Sequence, residues 1–364
     1  MTKRIFIAAT MQNEGKTTVS LGLIHSLRKK FKKISFIKPI GQRYLIEQGY
    51  KVDEDSVLIE KICGFKRSIK DMSPIAIEKG FTENYIQNCR GNEHLKKKIV
   101  YAFERCAKGS DLVIIEGTGH AGVGSVLDLS NARVAKLLNA KVILISGGGI
   151  GRPIDEIMLN KALFEKDGVE VLGVIINKIF EEKYNKINKL VRKGLNSKGI
   201  NVLGVMPYKK LLSVPNILEI IEETKIKLLF GRKGLGNVVN KVIVGAMELH
   251  NAMGYVEDGS LIITPGDRDD ILLMALSKQL MSQDKNFKVA GIILTGGILP
   301  NKSVVDLIEK SGIPLMFSED DTYSVASRIY DLAVKLKPRD TKKIKIVIDM
   351  IKQYVNIESI IREL

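Results

Sequence analysis

The sequence predicts an α/β protein in which a parallel sheet with helices on both faces is followed by a smaller C-terminal α/β unit. Two observations carry this expectation. One is a repeated unit: a short Val- and Ile-rich run, a polar or glycine-bearing turn, then a stretch of helical periodicity, as in parallel strands joined by crossover helices. The other is that the runs are continuously apolar instead of alternating, which suits strands covered on both faces.

In the first part of the chain the strand-like runs fall at 5–8, 34–37, 112–115, 142–145, 171–176 and 202–205. Near Met206 and Pro207 the pattern breaks, and Ser213, Val214 and Pro215 precede a new helical segment at 217–223. The expected domains are therefore 1–212, 213–330 and a C-terminal helical tail at 331–364. Runs at 239–244, 261–263, 289–294 and 315–317 supply the second, shorter sheet. The tail carries apolar residues at helical spacing over 344–364 and predicts a packed terminal helix or pair.

Composition agrees with a folded chain of two unequal domains. Its 364 residues exceed what one hydrophobic core usually serves, and 45% hydrophobic with 27% charged residues is an ordinary globular balance. No apolar run approaches the roughly 20 residues that span a bilayer. Met1 to Arg4 lead straight into a strand-like run instead of a cleavable signal, so a cytoplasmic location is expected. Cys63, Cys89 and Cys106 have no Cys-x-x-Cys spacing and only four His accompany them, which points to reduced thiols without disulfide or zinc. The net charge of +16 is spread along the chain, with short clusters only at 28–33 and 96–98. No aromatic interleaving accompanies it, and neither nucleic acid nor membrane is expected as a partner.

The chemistry is concentrated after the first run. Thr10, Met11, Gln12, Asn13, Glu14, Gly15, Lys16 and Thr17 are followed by a helix bearing Val19, Leu23, Ile24 and Leu27. This is a Walker A loop, or P-loop, in its proper setting between strand and helix. Backbone N–H groups and the positive helix end bind oxyanions, Lys16 neutralises the β and γ phosphates, and the Thr17 hydroxyl completes magnesium coordination. Thr10 stands where the usual first glycine would be. The alternative is a helix N-terminus with an incidental lysine.

Other chemistry-bearing residues stand just beyond the remaining runs, where open α/β sheets bind ligands. Lys38 and Pro39 follow the second run, Glu116 and Gly117 the third, Ser146 to Gly149 the fourth, Asn177 the fifth and Pro207 the sixth. A carboxylate directly after Val113, Ile114 and Ile115 is costly unless paired or metal-bound. Lys38 reads either as a contact to the terminal phosphate or an acidic substrate, or as a solvated strand end. Asn177, Lys178, Ile179 and Phe180 are similar to the guanine-reading motif of GTPases, but Phe180 stands where a carboxylate is needed, which favours adenine. Asn177 alone could also be a turn residue, and the glycines at 147–149 and 151 either approach a ligand or permit a tight turn. His120 falls at the expected pocket rim.

On these motifs residues 1 to about 210 resemble the dethiobiotin synthetase family and the related N-terminal domain of long phosphotransacetylases. That family's loop usually begins with Thr or a similar residue, as at Thr10. Its Lys-Pro, Glu-Gly and Asn motifs match Lys38–Pro39, Glu116–Gly117 and Asn177, and Asp55 resembles its additional magnesium carboxylate. The resemblance implies Mg2+ held by Thr17, Asp55 and Glu116, ATP held by Thr10, Asn13, Glu14, Gly15, Lys16, Thr17, Thr18 and Asn177, and Lys16 and Lys38 as catalytic lysines. The bland reading of Asp55 is an exposed acidic turn or helix cap. The substrate half departs from true dethiobiotin synthetases, because Gly41, Gln42 and Arg43 follow the Lys-Pro motif and Thr118, Gly119 and His120 follow the Glu-Gly motif.

The second domain resembles one named for an Asp-Arg-Thr-Gly-Gly motif, through Gly245 to Met247, Thr264 to Asp270 and Leu294 to Gly297. Asp267 is expected to cap the helix beginning near Asp269, with Arg268 and Gly296 facing an anion, and capping alone is the alternative explanation of these residues. The acyltransferase domain that follows in long phosphotransacetylases is expected to be absent. The reading that results is an ATP-binding and hydrolysing regulatory or sensor protein, a homodimer that answers to a small-molecule ligand. Two further readings are an ATP-dependent ligase-type enzyme that activates a carboxylate or carbamate, and a partitioning or positioning ATPase, a class with a signature lysine early in the loop where this chain has Met11.

Overall fold

The computed structural model describes residues 2–88, 91–284 and 286–364, so Cys89 lies outside the described residues. The chain divides into two compact units, Met1–Lys209 with Leu336–Leu364, and Lys210–Lys335.

The first unit is built on a six-stranded parallel sheet. Its strands are β1 (Lys3–Ala9), β2 (Ile34–Ile37), β3 (Leu112–Glu116), β4 (Lys141–Ser146), β5 (Val171–Ile179) and β6 (Val202–Pro207), in the order β6-β5-β4-β1-β3-β2. Ile5 to Ala9, Leu112 to Ile115 and Val142 to Ile145 are wholly buried, which is why their runs are apolar on both faces. Helices α1 (Lys16–Leu27), α2 (Glu54–Cys63), α3 (Glu93–Ala107), α4 (Asn131–Leu137), α5 (Gly151–Lys166) and α6 (Tyr184–Asn196) supply the crossovers. The chain leaves β1 toward β2 on one side, while β4 pairs with β1 on the other. That reversal opens a crevice beyond the carboxyl end of β1, where such sheets bind ligands.

A hairpin of Tyr44–Glu47 and Tyr50–Asp53 interrupts the passage from β2 to α2. Its turn residues Gln48 and Gly49 have φ of 52° and 79°, the left-handed pair that a tight two-residue turn demands. The hairpin ends on Asp53, whose carboxylate caps α2 by accepting from Asp55 N at 3.0 Å.

The C-terminal tail returns to this unit as two helices, Thr341–Tyr354 and Ile357–Glu363, divided where Asn356 N pairs with Leu203 O at 2.8 Å. The first lies so close to α1 that a Cβ on Gly22 would sit 2.2 Å from Ile351 Cγ1 and 2.8 Å from its Cβ. Gly22→Ala is expected to destabilise the unit by about 1–3 kcal/mol despite alanine's better helix propensity. Urea unfolding checks this, and in a double-mutant cycle Ile351→Ala should offset part of the loss.

The second unit is a five-stranded sheet of β7 (Lys227–Phe230), β8 (Lys241–Val244), β9 (Ser260–Pro265), β10 (Gly291–Thr295) and β11 (Leu315–Phe317), in the order β7-β11-β10-β9-β8. All pairs are parallel except β7 with β11. Its longer helices are α7 (Ile217–Thr224), α8 (Asp269–Met281), α9 (Lys302–Ser311) and α10 (Thr322–Tyr330). Ile262, Ile292 and Leu294 pack with Ile271, Leu272 and Ile308, whereas Leu261, Ile263 and Ile293 pack with Ile217, Ile220 and Val325. Successive strand residues thus serve two separate cores, one on each face. β7 is the strand that the sequence reading did not anticipate. The capping box of Asn216 and Glu219 starts α7.

The structure corrects one expectation in this unit. Asp267 is exposed and does not cap α8, whose cap position is Arg268 with no side-chain cap. The Arg268 guanidinium is spent on Asp270, at 2.8 and 2.7 Å, and on Met247 O at 2.9 Å, so it ties neighbouring loops together instead of facing an anion.

Candidate phosphate and metal site

The loop after β1 begins with Thr10 N donating to Ile145 O at 2.8 Å. Thr10 is buried, and its hydroxyl is turned inward to Ser146 Oγ and Glu156 Oε2, each at 3.1 Å. This residue therefore fixes the root of the loop. Asn13 and Gly15 have φ of 61° and 96°. Gly15 is required twice, for its left-handed backbone and because a Cβ there would lie 2.6 Å from Asn177 Nδ2. With no side-chain cap at the start of α1, the first N–H groups of Lys16, Thr17 and Thr18 remain available to an anion.

Asn177 lies within β5, because that strand runs on to Ile179. Its amide donates to Glu14 O at 2.9 Å and accepts from Lys178 N at 2.9 Å, while Lys178, at φ 62°, donates from Nζ to Asn13 O. The pair braces the loop from behind, and in this arrangement the Asn177 amide is engaged with backbone. Burial pushes the Glu14 carboxyl up, with Lys178 partly opposing it. A Cβ on Gly147 would lie 3.0 Å from Glu14 Oε2 and one on Gly148 would lie 2.7 Å from Lys178 O. Those glycines therefore let one loop approach the other.

Behind Lys16 the ends of β2 and β3 and the start of α2 converge. Lys38 Nζ is 2.9 Å from Asp53 Oδ1, is paired with Asp55 Oδ2, and is 3.6 Å from Glu116 Oε1. The Thr17 hydroxyl donates to the same Glu116 oxygen at 3.0 Å. All four charged side chains are buried. Asp55 is thus neither an exposed turn nor a cap. Asp53 caps instead, and the sequence reading did not include it as a site residue. Its carboxyl is raised by burial, opposed by Lys38, and Glu116 is raised by the same two effects in the same order. Lys38, although buried, is held charged by Asp55, Glu116 and Asp53 and lies far above the ordinary lysine range.

Lys16 behaves differently. Desolvation lowers its ammonium from 10.5 to about 8, and attraction to Glu116 recovers only part of this because Lys38 repels it. Among the described residues it makes no hydrogen bond or ion pair.

These residues fit a magnesium ion. Glu116 Oε2 is fully buried and has no hydrogen-bond partner, and the Ser20 hydroxyl lies near enough to steady its charge but outside hydrogen-bonding geometry. Among the described residues no three His, Cys, Asp or Glu side chains form a metal cage by themselves. Mg2+ does not ask for one, since it takes one or two carboxylates, waters and substrate phosphate oxygens.

Two buried amides that the sequence reading overlooked shape the rim. Asn131 Oδ1 accepts from Thr118 N at 3.1 Å, and its amide donates to Thr118 O and His120 O, both at 2.7 Å. Asn160 accepts from Ala121 N at 2.8 Å. Their signal was only a polar residue on the inner face of a helix. His120 is exposed, with Nδ1 accepting from Gly122 N at 3.2 Å. Cys63 and Cys106 are free thiols raised by burial to about 11 and about 12.

A phosphate loop at the reversal point of a parallel sheet, with a hydroxyl and carboxylates gathered behind its lysine, defines a P-loop NTPase-like domain. The chain belongs to the family described as an AAA domain, whose model matches residues 3–216, and a DRTGG domain matches residues 219–332. This order is that of the N-terminal part of long phosphotransacetylases. The chain is 26% identical over 365 residues to the phosphate acetyltransferase of Nitratidesulfovibrio vulgaris, covering 98% of this chain and 51% of that protein. It is 26% identical over 373 residues to the phosphate acetyltransferase of Synechocystis sp., covering 100% of this chain and 52% of that protein. It therefore spans about half the length of the curated relatives it matches. Among solved structures it is similar to the septum site-determining protein MinD complexed with Mg-ADP from Pyrococcus horikoshii, with 16% identity and a TM-score of 0.37 over 58% of this chain and 84% of that one. Among the described residues no helix is long and apolar enough to cross a membrane.

Proposed function

We propose that the chain is a magnesium-dependent, ATP-binding and ATP-hydrolysing regulatory or sensor protein. The observation that carries this reading is the meeting of Thr17, Asp55, Glu116 and Lys38 behind the glycine-entered helix that presents Lys16. Lys16 and the first N–H groups of α1 would hold the β and γ phosphates. Thr17, Asp55 and Glu116 would hold magnesium, which when bound neutralises charge on the phosphate oxygens. Lys38, steadied by Asp53, would meet the terminal phosphate. Adenine is supported by Phe180, which offers no carboxylate for guanine and forms an aromatic pair with Tyr208 at 5.2 Å.

The same reading takes the protein as a cytoplasmic homodimer answering to a small-molecule ligand, with neither nucleic acid nor membrane as partner. The scattered positive charge supports the second part. Calorimetric titration with ATP is expected to show binding in the presence of Mg2+ that EDTA removes, with slow release of phosphate. Failure of ATP to bind in excess Mg2+ would end this reading.

A further inference from the structure

The metal ligands of this site are already occupied by a cation of the protein's own. Lys38 stands between Asp55 and Glu116 while also touching Asp53 at 2.9 Å. The geometry points to an exchange: Lys38 holds the place of the divalent cation, and Asp53 retains the ammonium when the metal takes Asp55 and Glu116. This rests on the reading of the site given above and assigns Asp53 as a positioning residue in it.

Three features support the exchange. Asp53, Asp55 and Glu116 set three buried carboxylates against the buried Lys38 and the partly buried Lys16, one carboxylate more than there are ammonium groups to answer them. Glu116 Oε2 is buried without a partner, so one ligand oxygen is open while Oε1 faces Lys38 and Thr17. Asp53 is fixed independently of Lys38: its N–H donates to Ser73 Oγ at 2.8 Å, and Oδ1 caps α2. A Cβ on Gly41 would lie 2.5 Å from Asp53 Oδ2, so Gly41 leaves room for the carboxylate. An anchored third carboxylate lets the lysine give up two partners without becoming an unpaired buried charge.

The test uses Mn2+ alone, read by the loss of its free electron paramagnetic resonance signal, and so does not depend on nucleotide. Wild-type protein is expected to bind Mn2+ weakly, and Lys38→Met to bind it at least about tenfold more tightly, since the competing ammonium is gone. Asp53→Asn keeps the helix cap but removes the anchoring charge, and should weaken Mn2+ binding about tenfold in the wild-type background yet by less than about twofold in the Lys38→Met background. An undiminished effect of Asp53→Asn in that background would reduce Asp53 to a general field and overturn the assignment. Tight Mn2+ binding by the wild-type protein would overturn the exchange without any variant, should Lys38→Met fail to fold. Absence of ATP binding in the titration above would instead sink the nucleotide reading and leave the Mn2+ comparison intact.

Discussion

Lys38→Met is expected to lower the stability of the first unit by about 3–5 kcal/mol, the cost of leaving a buried ionic group without its partner. The size follows from arrangement more than from any one contact. A single ammonium at the end of β2 answers carboxylates delivered by the hairpin, by α2 and by β3, so its loss leaves Asp53, Asp55 and Glu116 facing one another with little access to water. The loss should also depend on pH in a definite direction. Burial already raises Asp53 and Glu116 above their unfolded values, and removing Lys38 takes away the largest opposing influence on each. In the variant the folded state binds protons that the unfolded chain releases, so its stability falls as pH rises through the raised range. The gap to wild type therefore narrows on acidification. Urea unfolding at pH 8 and pH 5.5 checks both statements, and wild-type stability for Lys38→Met at the higher pH would show that the three carboxylates are not charged together.

The same cluster shows what a sequence discloses about such a site. The runs at 5–8, 112–115 and 142–145 were legible because a strand buried on both faces has to be apolar throughout, Thr10 and Glu116 because they punctuate those runs, and Lys38 because it ends the run at 34–37. Asp55 was reached only through resemblance, and its partner Asp53 was passed over. The reason is physical. Both depend on the hairpin at 44–53, whose strands carry exposed Leu45 and Ile46 and give no clean alternation to announce an edge. Asn177 illustrates the opposite difficulty. Its identity is compatible with reading a base, turning a chain or bracing a loop, and its 2.9 Å contact to Glu14 O adds the bracing that spacing does not encode. Arg268 is similar, since its bonds to Asp270 and Met247 O depend on loop geometry that spacing does not encode.

Lys16→Met is expected to abolish nucleotide binding while making the nucleotide-free protein more stable. The ammonium titrates near 8 in the folded state against 10.5 for an ordinary lysine, because desolvation outweighs the attraction of Glu116. Below pH 8 both states carry the proton and the folded state bears the full penalty, about 3 kcal/mol for a displacement of this size. Between 8 and 10.5 the unfolded chain binds the extra proton, so the penalty shrinks as pH rises. Methionine keeps the side chain's bulk and removes the charge. Chemical unfolding at pH 7 should therefore show a gain of about 1–3 kcal/mol that fades toward pH 10. A bound triphosphate would supply the missing counter-charge and restore the lysine's affinity for its proton. Nucleotide affinity in the wild type should then fall as pH rises through 8, and binding at pH 8.5 should draw a fraction of a proton from solution, measured as a dependence of the calorimetric enthalpy on the buffer's ionisation enthalpy. A variant that loses nucleotide together with stability would mean that Lys16 is held by the fold and not by the phosphates, whereas loss of binding with a gain in stability identifies a residue kept at a cost to the fold for the ligand it meets.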